Sequence, residues 1–331
     1  MAALLLLPFA AAADSIDLGL AGQYAVFGLG SAIDVGTADT LGANTARIYG
    51  NVAVGADRTS ASADGNATFQ KGFIDGDLYI DGPGTPASYT IVNKNFSVSG
   101  TVFGTAPDNP GPHPNSVGTG TFDLSAAVQD AVNRSLFYAG LPSTNLGNFS
   151  FGSGTHTLSA GIYSATNFLI NSHTTFVING DPDDIFVLNV SGGFDFTKSY
   201  MQLTGGITAA NVLFNVTGTG TDAKITGDDS IFFGTLLADY RNISIQGIGS
   251  GSAQGVGFGI DGIAGTSDDN TGLSGRVIGA LGTTGSPRLL KVYSGAEVNM
   301  PPISPVPEPS SMLLLASGLA LLAARRRGKA A

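Results

Sequence analysis

Side chains able to act together are few in this sequence. The densest acidic group is Asp261-Gly262-Ile263-Ala264-Gly265-Thr266-Ser267-Asp268-Asp269-Asn270. Asp261, Asp268 and Asp269 set carboxylates among glycines, and hard oxygen ligands of this kind suit Ca²⁺. The spacing and closing Glu of an EF-hand are missing, so the segment reads either as a calcium site or as an acidic insertion loop. Asp222, Asp228 and Asp229 stand near Lys224, which is the charge set of a polysaccharide lyase or hydrolase but equally of a solvated turn. Asp181, Asp183 and Asp184 read as a turn. The chain has 3 His and no Cys, and His113, His156 and His173 lie in different segments, so thiol chemistry, disulfides and Cys-ligated metals are excluded. There is no Gly-x-Ser-x-Gly elbow, and Gly28-Leu29-Gly30 lacks the third Gly of a nucleotide loop and reads as a turn. Thr155, Thr157, Thr217, Thr219 and Thr221 offer hydroxyl and methyl groups that could order water on a flat face, although they do not recur at a fixed period. No enzymatic activity is expected, and no cofactor beyond that calcium.

The remaining composition narrows the field. Of 331 residues 48 are Gly, only 12% are charged, 43% are hydrophobic and the formal net charge is −10. Gly without a Gly-X-Y period excludes collagen, and the hydrophobic content excludes a disordered chain. An acidic chain without a basic stripe cannot displace counterions from phosphate, so nucleic acid is not a partner.

Both ends read as addresses. Residues 1–13 run through Leu4-Leu5-Leu6-Leu7 to Ala10-Ala11-Ala12-Ala13, an apolar stretch with a small-residue cleavage site, as in a signal peptide for the Sec translocon. Residues 301–309 are rich in Pro, which lacks the N–H needed in a helix or sheet interior. Residues 310–331 are a short apolar segment, marginal for crossing a bilayer, followed by Arg325-Arg326-Arg327. Val306-Pro307-Glu308-Pro309, the apolar segment and the Arg cluster together resemble the PEP-CTERM sorting signal. In that signal Pro307, Glu308, Pro309, Arg325, Arg326 and Arg327 carry the motif. The resemblance implies transient anchoring in the inner membrane, processing by an exosortase-type protease, and delivery to the cell surface or outside.

Between the ends, residues 14–300 repeat a phrase of Gly, a polar residue and β-forming residues: Gly50-Asn51-Val52-Ala53-Val54, Gly76-Asp77-Leu78-Tyr79-Ile80 and Gly100-Thr101-Val102-Phe103. It returns at Gly234-Thr235-Leu236-Leu237 and Gly275-Arg276-Val277-Ile278. A spacing in the twenties is that of one coil of a β-solenoid. Runs such as Thr174-Thr175-Phe176-Val177-Ile178 and Ile185-Phe186-Val187-Leu188-Asn189-Val190 read as strands bounded by turn residues. One segment differs. Leu124, Ala127, Val128, Ala131, Val132, Leu136 and Phe137 trace a helical stripe, with Asp123 as N-cap and Gly140 as the stop.

The order of coils, helix and coils resembles the ice-binding-like (DUF3494) family. The resemblance is carried by Leu18-Gly19-Leu20-Ala21-Gly22-Gln23-Tyr24-Ala25-Val26-Phe27, Leu158-Ser159-Ala160-Gly161-Ile162-Tyr163, Ala210-Asn211-Val212-Leu213-Phe214-Asn215-Val216 and Phe233-Gly234-Thr235-Leu236-Leu237-Ala238. It implies a mainly β fold, a discontinuous right-handed β-helix (β-solenoid) of triangular section with one long α-helix packed alongside. Fold-level likeness does not supply an activity. The leading expectation is an exported, non-enzymatic surface or matrix protein that adheres or associates with exopolysaccharide through a rigid face. The alternative is an ice-binding protein, and a polysaccharide-degrading enzyme comes third. The partners expected are therefore polysaccharide, a surface or ice.

Overall fold

In a computed structural model of the chain, residues 16–36, 46–55, 66–69, 71–81, 95–104, 114–119, 122–227, 230–247, 272–282, 288–293 and 295–300 are described. The chain divides into two compact units, and all of these residues belong to the unit Ala13–Pro301. It is mainly β, with parallel strands and one α-helix, α1 (Ser125–Ala139).

The strands stack in three parallel ladders. In the first, one inward column runs Tyr163, Leu188, Phe214, Leu236, Val277, Val26, Val52, Leu78 and Val102, each paired with the next. The second ladder has the inward column Phe168, Phe194, Ala223, Ile243, Leu290 and Ile33. The third stacks Thr155–Ser159, Thr175–Asn179 and Tyr200–Thr204, and its other strands include Glu297–Asn299, Ala46–Tyr49 and Lys71–Asp75. The inward columns make one hydrophobic core, in which Phe149, Phe168 and Phe194 stack with ring centroids 5.8 and 5.3 Å apart.

The repeated phrase occupies equivalent places, and its polar residue explains why. Asn51 Oδ1 accepts from the Asp77 N–H (3.0 Å), and Asp77 Oδ1 accepts from the Thr101 N–H (2.7 Å). Each side chain thus ties one level to the next. Gly275 pairs with Gly234 so closely that a Cβ on Gly275 would sit 1.8 Å from the Gly234 carbonyl oxygen. The order of the stack is not the order of the chain. The first strand, Val26–Val35, pairs on one side with Gly272–Leu281 and Arg288–Tyr293, and on the other with Val52–Val54 and Asn66–Phe69. Gly28-Leu29-Gly30, read as a turn, lies inside that first strand, where it passes from the first ladder to the second.

α1 covers the outward side of the first ladder. Leu124, Ala127, Ala131 and Tyr138 pack with Val187, Leu213, Leu237, Ile278 and Phe27. The N-cap is Leu124 rather than Asp123, whose carboxylate one residue earlier accepts from the Ser125 N–H (2.8 Å); the Gly140 N–H closes the last turn on Leu136 O (3.0 Å). The stripe read from the sequence is corrected at its end: Ser135 and Tyr138 face inward, whereas Leu136 and Phe137 are 65% and 52% exposed. A polar network selects that rotation. Asn215 Nδ2 donates to Ser135 O (2.9 Å) and to Asn189 Oδ1 (2.8 Å), Ser135 Oγ donates to Asn215 Oδ1 (2.8 Å), and Asn189 Nδ2 donates to Tyr138 O (2.9 Å).

Candidate functional site

With the first ladder covered by α1, the outward sides of the second and third ladders remain. On the third, alternation along each strand points every second residue outward. Three stacked strands give Thr155, Thr157 and Ser159, then Thr175, Val177 and Asn179, then Tyr200, Gln202 and Thr204 in register. Levels in such a stack lie about 4.8 Å apart and alternate residues about 6.6 Å apart, so nine side chains form a regular lattice with no charge. Thr155, Thr157, Ser159, Asn179, Gln202 and Thr204 are exposed. Thr204 Oγ1 donates to Asn179 Oδ1 (2.9 Å), which fixes two neighbouring levels. Rigidity comes from beneath, where Phe176, Ile178 and Met201 are buried.

Thr155 and Thr157 therefore belong to an array, and Thr217, Thr219 and Thr221 are placed elsewhere. These three lie between the strands Val212–Val216 and Ala223–Thr226, on the loop that joins the first ladder to the second. That loop is pinned by Arg241, which is 1% exposed. Its guanidinium donates to five carbonyls: Gly218 (2.8 Å), Gly192 (2.8 Å), Thr221 (3.1 Å), Ser191 (2.9 Å) and Thr217 (2.9 Å). Burial pulls the guanidinium below its ordinary pKa. Gly220 lies against it, and a Cβ there would meet Nη1 at 2.5 Å. Sequence reasoning missed Arg241, because an isolated Arg in a turn carries no local signal. It also missed Thr175, Asn179 and Gln202, although strand alternation in the segment after Thr155 could have found them.

The second ladder is charged. Its outward column is Ser150, Leu169, Asp195, Lys224, Ser244, Lys291, Asp34 and Thr68. Asp222 accepts from Asn242 Nδ2 (2.9 Å) beside this column, while Asp228 and Asp229 are outside the described residues. His156 stacks on Phe151 with centroids 3.6 Å apart, and His173 sits in a turn with φ of 65°; His113 is outside the described residues. Asp181 and Asp184 form the expected turn, with the Asp184 N–H donating to Asp181 O (3.0 Å). Asp261, Asp268 and Asp269 lie outside the described residues, as do Pro307, Glu308, Pro309, Arg325, Arg326 and Arg327. Among the described residues there is no group of three or more metal-ligating side chains, and no helix is long and apolar enough to cross a membrane.

The family model described as Ice-binding-like matches residues 42–256, and the PEP-CTERM protein-sorting motif matches residues 305–327. No curated protein matches the chain. Among solved structures, an ice-binding protein from an Antarctic biological consortium is 19% identical, with 87% of this chain and 92% of that chain covered and a TM-score of 0.50. An antifreeze ice-binding protein from an Arctic yeast is 20% identical over 89% of this chain and 97% of that one, with a TM-score of 0.46. A DUF3494 domain of an ice-binding protein of Shewanella frigidimarina is 16% identical over 87% and 98%, with a TM-score of 0.48. The first of these is a likeness of fold.

Proposed function

This chain belongs to the ice-binding-like family, and from that premise we propose that it binds ice through the uncharged array on its third ladder. We read the three ladders as the three sides of a discontinuous right-handed β-helix of triangular section, with α1 along one side. The observation that carries the proposal is the three-by-three lattice from Thr155 to Thr204. Short hydroxyls and amides stand at regular intervals around a buried Val177, with the half-buried Tyr200 at one corner. Ice presents no charge, so a face that orders water must avoid strongly hydrated ions, and this array holds none. The charged column of the second ladder lacks that property.

The PEP-CTERM motif marks the chain for export and sorting to the cell surface, with exosortase-type processing as its counterpart. Family and fold are those of ice-binding proteins rather than enzymes. They favour ice over the matrix association that an exported acidic body suggests by itself.

The test is ice recrystallisation by the full chain at micromolar concentration. Thr157→Tyr and Thr175→Tyr each raise a bulky ring from the lattice and should lower activity at least about tenfold without moving the unfolding midpoint. Lys224→Ala, on the second ladder, should leave activity unchanged. Full activity in both lattice variants would remove the third ladder from consideration, and an inactive wild-type chain would remove ice.

A further inference from the structure

The second ladder carries a feature that ice binding does not use. Across the strands Ala223–Thr226, Ile243–Gln246 and Arg288–Tyr293 lies a groove of about 350 Å³. Its floor runs along the stack as Lys224, Ser244 and Lys291. The short Ser244 between two long side chains makes the depression. One wall is Thr226, Gln246 and Tyr293, and the other is Asp222, Asn242 and Leu289.

Hydrogen bonds hold both walls in place. Ser244 Oγ donates to the Tyr293 hydroxyl (3.2 Å), which donates to Gln246 Oε1 (3.0 Å). That leaves the Gln246 amide nitrogen as a donor. On the other wall Asn242 Nδ2 donates to Asp222 (2.9 Å), and Asn242 Oδ1 accepts from the Leu289 N–H (2.9 Å). The acid in this wall is therefore already held by an amide.

Charge along the floor has a definite order. Continued in both directions, the column reads Asp195, Lys224, Ser244, Lys291, Asp34. The acids stand outside the two lysines: Asp195 accepts from Thr197, and Asp34 bonds to Thr68 and faces Lys291 on the adjoining level. The positive pole consequently falls at the centre, over Ser244. Lys224 and Lys291 stand two levels apart, about 9.6 Å along the stack, and flexible stems let both ammonium groups lean over one anionic group between them. Hydroxyls, amides and a tyrosine beside paired cations match a ring that bears several hydroxyls and one carboxylate.

We propose that this groove binds an acidic oligosaccharide, with a uronate carboxylate over Ser244 between Lys224 and Lys291 and the sugar ring between Tyr293 and Asn242. An acidic protein that holds a polyanion must do so locally, against its own net charge of −10, so the interaction weakens as salt screens it.

Affinity electrophoresis of the full chain tests this, with polygalacturonate, neutral dextran and dextran sulfate each cast in the gel. Polygalacturonate should retard the wild type, and dextran should not. Lys224→Ala and Lys291→Ala should each weaken retardation about five- to tenfold, and the double variant should abolish it. Tyr293→Ala should weaken it as well, while Arg47→Ala on the third ladder should not. Unfolding midpoints of the variants establish that they are folded, and a charge-preserving Lys224→Arg should retain binding if any alanine variant is not. No retardation by polygalacturonate, equal retardation by dextran, or wild-type binding in the double variant would overturn the proposal. Stronger retardation by dextran sulfate than by polygalacturonate would overturn recognition of a sugar and leave a plain polyanion patch. Ice recrystallisation by the lysine variants should stay at the wild-type level, and Thr157→Tyr should keep its retardation, so the two proposals fail separately.

Discussion

Removing Arg241 separates the two groups of threonines that the sequence singles out. The side chain is 1% exposed and closes five hydrogen bonds on the carbonyls of Ser191, Gly192, Thr217, Gly218 and Thr221, at 2.8 to 3.1 Å. A hydrogen bond to a charged group contributes about 1.5–3 kcal/mol, but five on one guanidinium are not additive, and water can reach some of the freed carbonyls. Arg241→Ala should therefore cost about 4 kcal/mol, in the range for breaking one side of a buried charged set. Arg241→Lys keeps the charge but supplies three donors for five acceptors, and should cost roughly half as much. Urea unfolding with a shared slope measures both. Amide exchange at residues 191–192 and 217–221 should rise before the rest of the molecule opens. A loss under about 1 kcal/mol in Arg241→Ala would refute the pinning role, since that is the scale of one ordinary hydrogen bond. Under conditions where Arg241→Lys is folded, ice activity per molecule should be unchanged if the array at Thr155 and Thr157 makes the contact. It should fall if Thr217, Thr219 and Thr221 do.

Other substitutions probe the scaffold. Gly275→Ala would place a Cβ 1.8 Å from the Gly234 carbonyl oxygen, between two main chains that cannot separate; it should yield insoluble protein, and a native-like unfolding midpoint would contradict that packing. Asn215→Ala removes both donors to Ser135 O and Asn189 and takes one acceptor from the Ser135 hydroxyl, which keeps Asp239; it should cost about 2 kcal/mol in urea unfolding. Leu136→Ser, at a position 65% exposed, should stay within about 0.5 kcal/mol of the wild type; a larger loss would put Leu136 back in the buried stripe. Burial raises the Asp239 carboxyl above 3.8, against hydrogen bonds from the Tyr240 N–H and Ser135. The folded state then binds the proton more tightly than the unfolded one, so this contribution is full below 3.8 and is lost as pH rises through the raised value. Asp239→Asn lacks that loss, so its midpoint should gain on the wild type as pH rises above 3.8.

How much of this was legible depended on whether the cause was local. The phrases at Gly50, Gly76 and Gly100 were readable as stacked levels because Asn51 and Asp77 act on the level directly after their own. The ends of α1 were readable, the first to within one residue, because Asp123 and Gly140 act within a turn of Leu124 and Leu136. The pairing of Val26 with Val277 has no such signal: both are apolar residues in β runs, and only the closing of the stack brings them together. The rotation of the last turn of α1 was hidden for a related reason. Leu136 and Phe137 are the more hydrophobic choices, but Asn215 and Asn189 on the first ladder, 80 and 51 residues away in sequence, demand carbonyls from Ser135 and Tyr138. Partners that far away outweigh a local count of apolar side chains.

The same contrast explains why one fold leaves two unlike surfaces. The inward columns are apolar apart from His156 at one end of the third ladder, so the core constrains only alternate residues, and each outward column is free to differ. On the first ladder that freedom is spent on α1, and Leu213, Leu237 and Ile278 would be exposed without it. On the third ladder the outward positions near Thr155 are short and uncharged, which suits an ordered water layer. On the second, Ser244 is the one short residue between two lysines, and a larger side chain there would fill the groove without disturbing the core behind it. Ser244→Gln should accordingly abolish retardation by polygalacturonate, with both the unfolding midpoint and ice activity unchanged. If it lowered ice activity instead, the charged ladder would be the ice-contacting side, and the assignment of the two surfaces would have to be reversed.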